Sequence, residues 1–133
     1  MDFKVSREAF LRVLTHVSSI VDSRSTIPIL SNIYIKCDNN QIEIRSTDMD
    51  ISIREFVSTD SSKNGEATVN SRILTDIIRK IKKNSIVKCK LEGNRLIINS
   101  DNSAFELNAL TADEFPKFVP LDQTSSFELS ISE

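Results

Sequence analysis

Two acidic pairs, Asp48/Asp50 and Asp113/Glu114, come nearest in this chain to metal-assisted phosphoryl chemistry, in which carboxylates hold divalent ions against a phosphate. Each pair stands near a turn or linker, and no further ligand follows at a useful spacing, so solvated turn carboxylates are the better reading. His16, the only histidine, has no cysteine or acidic cluster near it in sequence, which makes it a surface or boundary residue rather than a base or ligand. Cys37 and Cys89 form no CxxC pair; neither zinc nor a disulfide framework is expected, and both should pack as small apolar side chains. With no convergent nucleophile, base and charge-stabilising group, the sequence assigns no catalytic residue, no metal and no cofactor.

Cations form the second pattern. From Arg72 to Lys83 five basic residues, Arg72, Arg79, Lys80, Lys82 and Lys83, face one acid, Asp76, giving a local charge of +4 in a chain of net charge -2. Projected as a helix at about 100° per residue, Arg72, Arg79 and Lys83 fall together opposite Ile73, Leu74, Ile77, Ile78 and Ile81. Such a stripe reaches successive phosphates but does not read bases unless it enters a groove. An earlier helix adds Arg7, Arg12 and His16 on or beside its polar side. One charged helix alone is an ordinary solvated surface. Two basic helices on the same sheet face, with acids elsewhere, point to an anionic partner contacted without sequence preference.

The elements that must position these residues follow from periodicity. Apolar content of 39% and charged content of 27% over 133 residues describe one compact globular domain. No apolar stretch has bilayer length and the start Met1–Val5 lacks a signal peptide's apolar segment, so a cytoplasmic protein without membrane contact is expected. Alternation predicts strands at Asp2–Ser6, Asn32–Cys37, Gln41–Ser46 and Asp50–Val57, with a helix over Arg7–Val21. After a turn around Lys63-Asn64-Gly65 the order returns: Ala67–Asn70, a helix over Arg72–Lys83, then Ile86–Leu91, Arg95–Asn99 and Ala104–Ala109. The fold class is therefore α+β, a duplicated βαβββ unit with two helices on one face of a mainly antiparallel sheet. Ser6-Arg7 and Ser71-Arg72 open the two helices, each serine placed as an N-cap, and Lys36-Cys37 and Lys88-Cys89 end matching strands. Residues 112–126 carry Pro116 and Pro120 without periodicity and read as a linker, after which Phe127-Glu128-Leu129-Ser130 repeats the shape of Phe3-Lys4-Val5-Ser6. The expected division is a domain over 1–122, and at 123–133 the linker end and first strand of another.

Three segments then resemble the N-terminal domain of bacterial beta sliding clamps, the DNA polymerase III beta subunits: Arg24-Ser25-Thr26-Ile27-Pro28-Ile29-Leu30-Ser31-Asn32, Thr47-Asp48-Met49-Asp50-Ile51 and Ala112-Asp113-Glu114-Phe115-Pro116. With the helix–strand order, the match covers nearly the whole chain. The resemblance implies a DNA clamp fold, and a head-to-tail dimer of three-domain subunits with helices inside and sheets outside. It implies a non-catalytic ring that encircles duplex DNA and tethers the replicative polymerase. It implies DNA contacts at Arg24 and Arg72, with Arg79 and the neighbouring lysines lining the channel; a basic residue often follows the opening arginine in relatives, where this chain has Ile73. It implies that Phe105 and Leu107, on the apolar side of an edge strand Ala104–Ala109, meet the third domain of a neighbouring subunit; from the residues alone that side is equally core. Implied partners are duplex DNA, a second clamp subunit, the polymerase III catalytic subunit and the clamp loader. The alternative is a small nucleic-acid-binding or protein-interaction module that forms no ring. Against a single-strand binder stands the lack of an aromatic platform, with no Trp and one Tyr, Tyr34.

Overall fold

The computed structural model describes residues 1–21, 31–48, 51–101 and 103–110. Strand β1 (Asp2–Ser6) runs directly into α1 (Arg7–Ser18), because the Ser6 hydroxyl accepts from the Ala9 amide at 3.1 Å and caps the first turn. Strands β2 (Asn32–Asp38) and β3 (Gln41–Thr47) form a hairpin whose two-residue turn, Asn39-Asn40, holds both residues at positive φ, a state asparagine tolerates. Strands β4 (Ser52–Ser58), β5 (Asp60–Lys63) and β6 (Gly65–Asn70) lead into α2 (Ser71–Lys80), after which β7 (Ile86–Glu92), β8 (Arg95–Ser100) and β9 (Ser103–Leu110) complete the order. All pairings are antiparallel, in the strand order β4-β3-β2-β6-β9-β8-β7-β1-β5.

The duplication is present in the pairing itself. Strand β1 lies against β7 of the second half, and β6 lies against β2 of the first, so each half lends its first strand to the other. The registers superpose: Ser6 sits opposite Ile86 as Asn70 sits opposite Asn32, and Phe3 opposite Cys89 as Ala67 opposite Ile35. Strand β5, absent from the sequence reading, belongs to the same symmetry. The chain bends at Thr59, leaving β3 and pairing with β1 through Asp60↔Lys4, just as β9 leaves β8 and pairs with β6 through Leu110↔Thr68.

Two expectations change. Strand β9 is not an edge in the strand order, since it lies between β6 and β8; only Ala109 and Leu110 reach β6, because β6 turns into α2 beyond Asn70. The Ser-Arg and Lys-Cys echoes are also out of register. The structural counterpart of Ser6 is Asn70, which caps α2 by accepting from the Ile73 amide at 2.9 Å, so Arg7 matches Ser71, and Cys89 matches Ile35 rather than Cys37.

α1 and α2 pack against each other, α1 also against β1, β3 and β4 and α2 against β6 and β9. Leu14, Val17, Leu74 and Ile78 are fully buried with Ile33, Ile35, Ile42, Ile44, Leu96 and Ile98 from the sheet, and Phe3 meets Phe10 edge-on at 6.1 Å. Burying each such side chain contributes roughly 1.5–3 kcal/mol, which makes this layer the main source of stability. Both cysteines are buried and free, and burial pushes their thiols up. Among the described residues no helix is long and apolar enough to cross a membrane.

Candidate nucleic-acid interface

The paired helices leave an outer surface on which Arg12, Arg72, Arg79, Lys80, Lys82 and Lys83 are all exposed. Arg79 pairs with Asp76 one turn earlier at 3.3 Å, a solvent-exposed contact of little energetic weight that leaves the guanidinium within reach of other anions. His16 pairs with the Glu55 carboxylate from β4 on the same layer. Arg24 lies outside the described residues.

α2 is shorter than its periodicity suggests. The helix ends at Lys80; Ile81 is extended (φ -74, ψ 146) with its amide on the Ile78 carbonyl at 3.2 Å, and Asn84 adopts φ 64. Lys83 therefore stands in the turn after the helix rather than third in a helical stripe, alongside Lys82. Ile73, assigned to the apolar side, is instead 50% exposed beside Arg72.

Arg7 is a correction of a different kind. It is 9% exposed, and its guanidinium donates to two last-turn acceptors of α2, the Arg79 carbonyl at 3.0 Å and, beside the Ile81 amide, the Ile78 carbonyl at 3.3 Å. Held there, its charge is not presented to a phosphate, and it leaves the set of surface cations. Beside it, Glu8 accepts from the Asn84 amide at 3.1 and 3.2 Å and from Arg7 at 3.2 Å. The Asn84 amide, and then Arg7, hold the Glu8 carboxyl below its ordinary range. Neither role appeared in the sequence reading, although Arg7 falls on the apolar stripe three residues before Phe10.

At the opposite end of the helix pair the described side chains that meet are small. Ser71, the counterpart of Arg7, meets Ser18 at 2.5 Å, and Ser18 also meets Thr75 at 3.2 Å. These short side chains leave a cleft of about 700 Å³ whose lining includes Arg72, Ile73, Asp76 and Arg79. A larger concavity of about 850 Å³ lies beyond the helix layer, around Lys4, Asp60, Ile86 and Lys88 on the strands; it shares no residue with the cationic surface.

Asp48 accepts from the Ile51 amide at 2.7 Å and closes a turn; Asp50, Asp113 and Glu114 lie outside the described residues. Among the described residues no group of three metal-ligating side chains is found. Leu107 is 6% exposed within the core, and Phe105 is half-buried against it.

Residues 1–119 match the family described as DNA polymerase III beta subunit, N-terminal domain. The chain is 32% identical over 117 residues to a beta sliding clamp of Pseudomonas aeruginosa, covering 87% of this chain and 32% of that protein. It is 32% identical over 134 residues to a beta sliding clamp of Vibrio harveyi, covering 100% of this chain and 91% of that sequence. Among solved structures, a beta sliding clamp of Caulobacter crescentus superposes with a TM-score of 0.86 at 33% identity, over 90% of this chain and 32% of that one. A sliding clamp of Bartonella birtlesii bound to griselimycin gives 0.87 at 32% identity, over 90% of this chain and 32% of that one. The chain thus spans about a third of the length of the Pseudomonas relative.

Proposed function

The chain belongs to the DNA polymerase III beta subunit family, matching its N-terminal domain, and from that premise we propose that it is one domain of a sliding clamp, a closed ring that encircles duplex DNA and tethers the replicative polymerase. The ring is a dimer of three-domain subunits, and this chain supplies one domain of each subunit. Its role is mechanical, with no catalytic step. The observation that carries the reading is the helix surface: Arg12, Arg72, Arg79, Lys80, Lys82 and Lys83 are exposed on one layer of a chain whose net charge is -2. Ammonium and guanidinium groups on the exposed side of a helix pair reach phosphates and not base edges, so contact is independent of sequence and weak enough to slide. Arg24, by family resemblance, extends the same contact set.

Within this proposal Phe105, backed by Leu107, meets the third domain of the neighbouring subunit along the Ser103–Asn108 stretch of β9, which pairs only with β8. The boundary near residue 122 leads into the second domain. The further partners are a second clamp subunit, the polymerase III catalytic subunit and the clamp loader, and the place of action is the cytoplasm.

Titration of the chain with unrelated duplexes at several salt concentrations tests the reading. Contact with about three phosphates gives a slope of log affinity against log salt near about -2.7. Replacing Arg72, Arg79 and Lys83 by Ala is expected to flatten the slope. Equal binding by parent and triple variant removes the cationic surface from the mechanism, and tight sequence-specific binding replaces the clamp reading with a DNA-recognition module.

A further inference from the structure

The cationic turn after α2 presents a physical difficulty. Arg79, Lys80, Lys82 and Lys83 stand within five positions across the end of the helix at Lys80, and Asn84 is in the left-handed region. Like charges this close repel one another, and a turn at a helix end has few hydrogen bonds of its own. Left to itself it would sample many arrangements, each placing the ammonium groups differently.

The start of α1 counters this from more than seventy residues away in sequence. We propose that Arg7 and Glu8 are positioning residues for duplex binding, holding the end of α2 and its cationic turn in one arrangement through bonds to the Ile78 and Arg79 carbonyls and the Asn84 amide. Three bonds of Arg7 bracket the segment: its side chain holds the carbonyls of Ile78 and Arg79, and its own amide donates to the Ser85 carbonyl at 2.9 Å. Glu8 fixes the middle through the Asn84 amide, and Arg7 in turn fixes Glu8. A guanidinium at the α2 C-terminus also complements the helix dipole, so the capping group is well matched electrostatically as well as geometrically. Because both oxygens of Glu8 are directed to a backbone amide and Arg7, its charge orders the turn without forming an ion pair with Arg79, Lys80, Lys82 or Lys83. The inference rests on the reading that the helix layer faces DNA.

The sign of one substitution separates positioning from simple charge. Glu8→Gln removes a negative group from beside a cationic surface, so charge alone predicts tighter duplex binding. Positioning predicts the reverse. Asp60→Asn makes the same change of charge on the exposed strand β5, away from the helices, and serves as the control. The 133-residue chain and both variants are titrated with a short mixed-sequence duplex at several salt concentrations, and amide exchange is followed at residues 82–85. Glu8→Gln is expected to bind about threefold more weakly, about 0.65 kcal/mol in binding free energy, with faster exchange at Asn84. Asp60→Asn is expected to bind at least as well as the parent. Arg7→Lys keeps the charge but lacks the guanidinium fork that spans two carbonyls, and should speed the same amides. Glu8→Gln binding as tightly as the parent or tighter, or exchange at 82–85 unchanged, overturns the proposal. A parent chain that binds no duplex overturns the functional reading and the positioning role with it, while exchange at Asn84 independently reports whether the clamp on the turn exists.

Discussion

The two ends of the α1–α2 pair are built from equivalent positions and behave oppositely. At one end Arg7 and Glu8 close over the last turn of α2 and the loop beyond it. At the other, the same two positions are Ser71 and Arg72: the serine leaves a cleft of about 700 Å³, and the arginine stays exposed at its edge. Glu8 and Arg72 are counterparts of opposite charge. The lesson is that a duplicated unit diverges where its symmetry axis places identical backbone in two environments: one copy of the site ties the halves together, and the other is free to carry charge outward.

The largest test of this contrast is Arg7→Ala. It leaves the Arg79 carbonyl without its side-chain donor and the Ile78 carbonyl with the Ile81 amide alone, in a nearly buried site, and opens space beneath α1, so a loss of about 2–4 kcal/mol is expected from denaturant unfolding. Ser71→Ala, at the equivalent position, should cost under about 1 kcal/mol, since its hydroxyl partners can bond each other. Similar losses for the two would erase the distinction between closed and open ends. Next in size are the caps: Ser6→Ala and Asn70→Ala should each cost about 1 kcal/mol, because each side chain satisfies one orphan amide of its helix. A markedly larger loss for Asn70→Ala would mean that the open end is as rigidly held as the closed one.

Acid sharpens the comparison further. The Glu8 carboxyl is held below its ordinary value chiefly by the Asn84 amide, so the native state favours its ionised form. That contribution is fully present above the unfolded value of about 4.3 and fades as pH falls through the lower folded value. The stability difference between the parent and Glu8→Gln should therefore shrink on acidification in the range below about pH 4.3, as followed by urea unfolding at stepped pH. A difference that stays constant through that range would show that the carboxylate charge does not act on the turn.

Much of this was legible beforehand, because strand alternation and helical periodicity are set by burial, and burial is what the pattern of Ile, Val and Leu records. The duplication was visible for that reason, yet its residue echoes misled by one or two positions: serine and asparagine cap equally well, so Ser71 looked like the counterpart of Ser6 when Asn70 is. Strand β5 had no signal of its own. Asp60-Ser61-Ser62-Lys63 contains no apolar alternation, and its state is imposed by pairing with β1. The end of α2 was overrun because no Gly or Pro follows Lys80, while the features that stop the helix, Asn84 in the left-handed region and Glu8 on its amide, are tertiary. Arg7 was readable in principle, lying on the stripe of Phe10, Leu14 and Val17; charge drew attention outward when position pointed inward.

The smallest expected effect bears most directly on the open end. Arg72 is exposed and forms no ion pair among the described residues, so Arg72→Ala should change unfolding free energy by less than about 0.5 kcal/mol. In duplex titrations the same substitution should make the slope of log affinity against log salt shallower by about 0.9, the contribution of one phosphate. Stability and binding would then be separated between equivalent ends of one helix pair, with Arg7 acting through packing and Arg72 through long-range charge. A loss above about 1 kcal/mol for Arg72→Ala would place it in the fold beside Arg7. An unchanged slope with unchanged stability would leave Arg72 an ordinary solvated cation, and the DNA-facing charge would have to reside in Arg79 and the turn held by Glu8.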